Sequence, residues 1–312
     1  MPKNIKKMKK QHIGTTSINL FSVITIVLLA IGTTTAKAQL NPLGASYFQD
    51  QYLNNPSLAG RQQGFKLGLH YRNQWSSVPG APVNYSISGQ FGMPDEHSGL
   101  GINAYVDRSG LLSRTRVVGS YAYHLPLNGE DSYLHFGLSL GFMNQHVSQG
   151  ELNGNPGDAV LTEFNNQPTY VDGDFGVSYT SNQLTLQAAI PNLNSFLNRE
   201  TRNTVDQGTY FASASYRIMA DDDMGYNVEP KVAYRGIRGH KDIIDAGLEF
   251  SLGVNASKIN TMVVYHSSKS VTAGIGMLMK SKLEIQALYN TQTASLSSYT
   301  NGTFELGLGV RF

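Results

Sequence analysis

The sequence predicts an all-β fold: a transmembrane, antiparallel, up-and-down β-barrel of about fourteen strands, of the outer-membrane type. Three observations carry this. First, segments of about ten residues recur in which apolar and polar residues alternate, as expected where one strand face meets lipid and the other a lumen. Second, the polar faces are built from Gly, Ser, Thr, Asn and Gln; the chain has 32 glycines and only 15% charged residues. A sandwich in water would carry a densely charged outer face. Third, after one apolar run near the N-terminus, no stretch approaches the ~20 residues of a spanning helix. Crossing would then fall to strands, whose alternation hides them from hydropathy.

The N-terminus opens with Lys3, Lys6, Lys7, Lys9 and Lys10. An apolar run from Ile18 to Ile31 follows, and Ala36-Lys37-Ala38 precedes Gln39. A basic region, an apolar core and an A-x-A site describe a secretory signal peptide over 1–38, with Gln39 as the mature start. The alternative, a retained anchor, is disfavoured because the run is short for a span. The expected organisation is therefore a signal peptide over 1–38, an N-terminal periplasmic segment over 39–63 and a barrel over 64–312. Formal net charge is +2, but much of the basic excess lies in the leader, so nucleic acid is not an implied partner. The chain has no cysteine, which excludes disulfides and thiolate metal sites.

Within 39–63, Asn54, Asn55 and Pro56 break regular structure. Leu53, Leu58 and the nearby aromatics argue for docking inside or beneath the barrel rather than for a free tail. Candidate strands follow near 64–72, 83–91, 98–106, 114–124, 132–146, 170–180, 183–190, 208–219, 226–235, 242–252, 258–266, 271–279, 281–289 and 303–312. The fifth is among the clearest: Leu134, Phe136, Leu138, Leu140 and Phe142 oppose His135, Gly137, Ser139 and Gly141. The last alternates Phe304, Leu306, Leu308, Val310 and Phe312 with Glu305, Gly307, Gly309 and Arg311. Such a final strand, ending on an aromatic, resembles the signal read by the outer-membrane barrel-assembly machinery.

The connections test the barrel independently, since such barrels have short periplasmic turns and long external loops. The long connections, NQWSSVPGAP, 147–169, 191–207 and TQTASLSSYTNG, all follow odd-numbered strands. Two other odd connections, near 236–241 and 267–270, are short.

No motif assigns chemistry: G-x-S-x-G, H-E-x-x-H and a phosphate loop are all absent. Asp221, Asp222 and Asp223 lack the spaced ligands of a calcium loop and read as a solvated turn. Asp172 and Asp174 flank Gly173 in a strand and also read as structural. His124, His135 and His146 recur every eleven residues, a spacing that crosses strands without a common ligand geometry. Arg72, Arg114, Arg116, Arg217, Arg235 and Arg311 lie in or beside strands. Facing inwards, they would pair with Asp174, Asp245, Glu249 or Glu305, because buried unpaired charges cost too much. A selectivity ring is the sharper alternative, and it requires an open channel. No catalytic, cofactor or metal residue is assigned. The rival functions are a porin-like or FadL-like transporter of a small solute and an outer-membrane hydrolase with a Ser/His or Asp/His set at the rim.

Residues 47 to 60, YFQDQYLNNPSLAG, are followed by Tyr71-Arg72-Asn73-Gln74-Trp75 and Gly80-Ala81-Pro82. GLGINAYVDRSG over 99–110 and SYAYHLPL over 120–127 come next. Together these resemble the PorP/SprF family of type IX secretion system membrane proteins of Bacteroidota. Members often have an alanine near Ser57 and a proline near Leu111, so the chain departs slightly there. The resemblance implies a non-enzymatic outer-membrane barrel, without cofactor, serving protein secretion, gliding motility or both. It implies contact with outer-membrane lipid and with periplasmic secretion components, including a peptidoglycan-binding lipoprotein and the ring and motor assembly, and in some members with a secreted adhesin. For partner binding it points to Tyr52, Asn55, Pro56, Arg72, Asn73, Gln74 and Trp75.

Overall fold

The computed structural model describes residues 44–127, 131–148, 159–166, 168–197, 208–219, 225–238, 241–254, 256–291 and 300–312. The signal peptide expected over 1–38 and the turn Asp221 to Asp223 lie outside them.

The strands are β1 (Gly64–Gln74), β2 (Val83–Gly92), β3 (Ser98–Ser109), β4 (Leu112–Pro126), β5 (Tyr133–Val147), β6 (Tyr170–Thr180) and β7 (Leu184–Ile190). They continue with β8 (Thr209–Tyr216), β9 (Tyr226–Ile237), β10 (Ile243–Val254), β11 (Ser257–His266), β12 (Ser270–Met279), β13 (Leu283–Asn290) and β14 (Thr303–Arg311). A short ladder, Ile218–Met219, extends β8 beyond Arg217 along the same partner, β9. Each strand pairs antiparallel with its neighbours in sequence. The ring closes where β1 pairs β14, with Lys66 opposite Arg311 and Gln74 opposite Thr303. The result is a closed, antiparallel, fourteen-strand barrel without a free sheet edge. No described helix is long and apolar enough to cross a membrane; the strands do so.

Alternation sets which side is which. On β14, Phe304, Leu306 and Leu308 are 50%, 52% and 42% exposed, while Glu305 between them is 4% exposed. On β5, Leu138, Leu140 and Phe142 point outward and His135 and Ser139 are buried. The apolar side chains therefore face out and the polar ones in, the reverse of a water-soluble β protein.

Connections 93–97, 127–132, 181–183, 255–256 and 280–282 share the rim that carries both ends of the barrel sequence. The opposite rim carries 75–82, 148–169, 191–208 and 291–302. It also holds short links at 238–242 and 267–269, and a third at 110–111, where left-handed Gly110 (φ 58°) turns the chain in two residues. Two short helices, α1 (Ala159–Asn165) and α2 (Leu193–Leu197), lie in the long loops of this rim.

Candidate functional site: a plugged lumen

Before β1 the chain makes three single 3₁₀ turns, Ser46–Phe48, Gln51–Leu53 and Pro56–Leu58. Ala45, Tyr47, Phe48, Tyr52, Leu58 and Ala59 are buried. This short segment bonds to strands all around the ring, which is possible only from within. The described part of the N-terminal segment thus occupies the lumen as a plug, and it follows a legible path.

At its start, the Glu305 carboxylate of β14 accepts the backbone N–H groups of Ala45 (3.0 and 3.1 Å) and Ser46 (3.0 Å). Tyr47 donates its hydroxyl to Asp245 of β10, and its ring lies 5.4 Å from the Arg235 guanidinium. Lys231 of β9 donates to the Phe48 carbonyl (2.8 Å) and sits over the Phe48 ring. Asp50 pairs with Lys66 (3.3 Å) and His70 (3.5 Å) of β1. Burial alone would raise the Asp50 carboxyl, but Lys66 and His70 outweigh it and hold the group well below the usual carboxylate range. The Tyr52 and Ser120 hydroxyls meet at 3.1 Å. Asn55 caps the last turn by accepting from the Ser57 N–H (3.1 Å) and hydroxyl (2.7 Å), and the Ser57 and Ser178 hydroxyls meet at 2.8 Å.

The inward glycines now have a reason. A Cβ on Gly137 would overlap the backbone of Pro56 and Ser57; on Gly176 it would strike the Asn55 side chain, and on Gly101 the Tyr52 ring. On Gly247 it would come within 2.5 Å of the Phe48 ring. These strand positions are bare because the plug lies directly on the wall.

Inward arginines of the strands have carboxylate partners. Arg116 of β4 reaches Asp172 (3.0 Å) and Asp174 (2.7 Å) of β6. The same two carboxylates accept the N–H groups of Asn194 (3.1 Å) and Asn192 (3.0 Å), drawing the β7–β8 loop over the lumen. Arg235 pairs with Asp245 (2.7 Å), and Arg72 lies 3.8 Å from Glu305. Arg114 pairs with Asp107, Arg217 with Glu229, and Arg311 with Glu284. The pairing expected of Arg116, Arg235 and Arg72 is present, with Asp172 as an additional partner.

The expected partner-binding residues divide. Tyr52, Asn55 and Pro56 are buried in the plug, engaged with the barrel's own wall. Arg72, Asn73, Gln74 and Trp75 sit together where β1 reaches the long-loop rim. Arg72 donates to Gln74 (2.9 Å), and the Gln74 N–H donates to the Pro82 carbonyl (2.9 Å). Trp75 takes a left-handed φ of 57° and donates its N–H to the Gly302 carbonyl, tying two loops. Asn73 Oδ1 is buried with no hydrogen-bond partner among the described residues.

The histidine spacing crosses strands as expected and brings two of the three rings together. Strand register places His124 opposite His135, so their Nδ1 atoms meet at 2.8 Å and His135 Nε2 meets Thr180 at 2.8 Å; His146 lies elsewhere, opposite Ser113. Eleven residues is one hairpin's return distance here, which the spacing alone could not indicate. Sequence reasoning also missed a relay in which Thr272 meets His266 (2.7 Å) and His266 meets Asp245 (2.6 Å). It has the order of a nucleophile, base and acid, but Thr272 and Asp245 are 0% exposed, so no substrate reaches the hydroxyl. Among the described residues, no cluster of three His, Asp or Glu is placed to hold a metal.

Several solved structures match at low identity. Omp33 of Acinetobacter baumannii is 8% identical, over 81% of this chain and 100% of that one, with a TM-score of 0.46. The monoaromatic hydrocarbon channel CymD is 12% identical, over 90% and 95%, with a TM-score of 0.49. A mutant porin of Rh. blastica is 10% identical, over 80% and 99%, with a TM-score of 0.34. No curated protein matches the chain. The family model for type IX secretion system membrane protein PorP/SprF matches residues 36–310, nearly the whole of this plugged barrel, and the chain belongs to that family.

Proposed function

We propose that this chain is a non-enzymatic outer-membrane component of type IX protein secretion and gliding motility. It is exported with its leader over 1–38 removed. It then anchors periplasmic parts of the machine, including a peptidoglycan-binding lipoprotein and the ring and motor assembly, or one secreted adhesin, to the outer membrane. What supports anchoring over solute transport is the occupied lumen: residues 44–60 run through it and bond to its wall. A transporter needs a continuous wet path, and here the plug crosses that path. The buried relay at Thr272 supports a non-catalytic reading for the same reason: its hydroxyl touches wall and not solvent. Tyr52, Asn55 and Pro56 hold the plug, and the strip from Arg72 to Trp75 lies at the long-loop rim, which faces outward, so it is a candidate for contact with a secreted adhesin and not with the periplasmic parts.

Deleting the gene and comparing secreted proteins by mass spectrometry tests the role. Loss of many secreted proteins is expected for a core component, and loss of one adhesin for a dedicated anchor. An unchanged secreted set with impaired uptake of a small solute would instead establish a transporter.

A further inference from the structure

At the rim carrying both ends of the barrel, Gly60 to Gln63 cross from the plug to β1. They leave a cavity of about 420 Å³ against the wall formed by β4 to β8. That is near the lower end of the ~300–1,000 Å³ typical of small-molecule sites. It suits something the size of one to three amino-acid residues.

The cavity's charges are unevenly satisfied. Arg61 lines it and makes no hydrogen bond or ion pair with any described residue. Arg217 also lines it and gives one nitrogen to Glu229 (3.3 Å), while its Nε is buried with no acceptor among the described residues. A buried donor left without an acceptor costs ~1–3 kcal/mol. Arg61 acts electrostatically on Arg217 and on the His124 and His135 rings, and Glu229, the partner of Arg217, is the one carboxylate that acts on it in turn. Glu96, which accepts from Gln63 Nε2 (2.8 Å), and Asp131 line the same cavity.

We propose that this cavity is a binding site for a small zwitterion, a free amino acid or a short peptide. Its carboxylate is held between Arg61 and Arg217, and its ammonium group lies toward Asp131 and Glu96. A carboxylate supplies the missing acceptors and matches the guanidinium fork. Two carboxylates in the lining, Glu96 and Asp131, distinguish the site from a bare anion hole. Lipid headgroups are excluded because the barrel wall separates the cavity from the bilayer. The proposal does not depend on the secretion role.

Calorimetry on the full chain in detergent micelles tests it, with trialanine, alanine, the C-terminal amide of trialanine, its N-acetyl form and inorganic phosphate as probes. Trialanine or alanine should bind, and which is tighter identifies a peptide or an amino acid as the natural size. Blocking either terminus should weaken binding by about tenfold, roughly one charge-assisted hydrogen-bonded contact. Arg61→Gln and Asp131→Asn should each do the same, with Arg61→Lys retaining part of the affinity. Equal binding of the amide, or unchanged affinity in Arg61→Gln, overturns the carboxylate site. Undiminished binding of the N-acetyl form, or phosphate binding as tightly as trialanine, overturns the zwitterion. Heat-modifiable gel mobility confirms that each variant is a folded barrel; the blocked peptides decide the matter on the unmodified protein if a variant is not.

Discussion

Single residues reveal how closely the plug and wall are matched. Glu305 accepts two plug N–H groups and faces Arg72. Glu305→Ala should cost about 3 kcal/mol, the order found when one member of a buried charged set is removed. It should also expose the first plug turn to added protease. Ser57→Ala removes one hydroxyl and leaves the Asn55 cap on the Ser57 N–H, so it should cost only ~1 kcal/mol in urea unfolding. Asp50 sets a pH limit. Its folded carboxyl is held low, so its pairing stabilises the plug fully above the unfolded value of ~3.9 and is lost as pH falls toward the folded value. Protection of the plug from protease should stay level from neutral pH down to about pH 4 and decline only below it.

Among the elements, the strands were legible and the plug's path was not. Period-two alternation placed fourteen strands because each outward residue meets one solvent and each inward residue another. The observed strands begin and end within a few residues of those expected. Glycine at inward positions was visible as a pattern, but its cause was not, because Gly137 and Gly176 answer to Ser57 and Asn55, far off in sequence. The same holds for His124 and His135, which only the β4–β5 register brings together. The tight turn at Gly110 escaped notice because flanking polar residues read as loop, whereas they pair as strand up to Ser109 and Leu112. The plug also yields a test at this scale. Deleting residues 44–60 should leave an inserted barrel that passes ions, whereas the full chain should show little steady conductance in planar bilayers. A full chain that conducts as freely as the deletion would show that the plug does not seal the lumen.

At the scale of the whole molecule, the outer surface is governed by hydrocarbon. Leu140 is 66% exposed halfway along β5, and Leu197 is 70% exposed in a loop helix. An arginine at mid-span costs about 2–4 kcal/mol in such barrels and almost nothing beyond the bilayer. Leu140→Arg should therefore weaken folding into liposomes by that amount, while Leu197→Arg leaves it unchanged. The seam between β1 and β14 joins the two extremes of the barrel sequence, and Glu305, which grips Ala45 and Ser46, is borne on the strand that closes it. One side chain thus holds both the cork and the last stave, so loosening Glu305 should slacken the plug and the ring closure together.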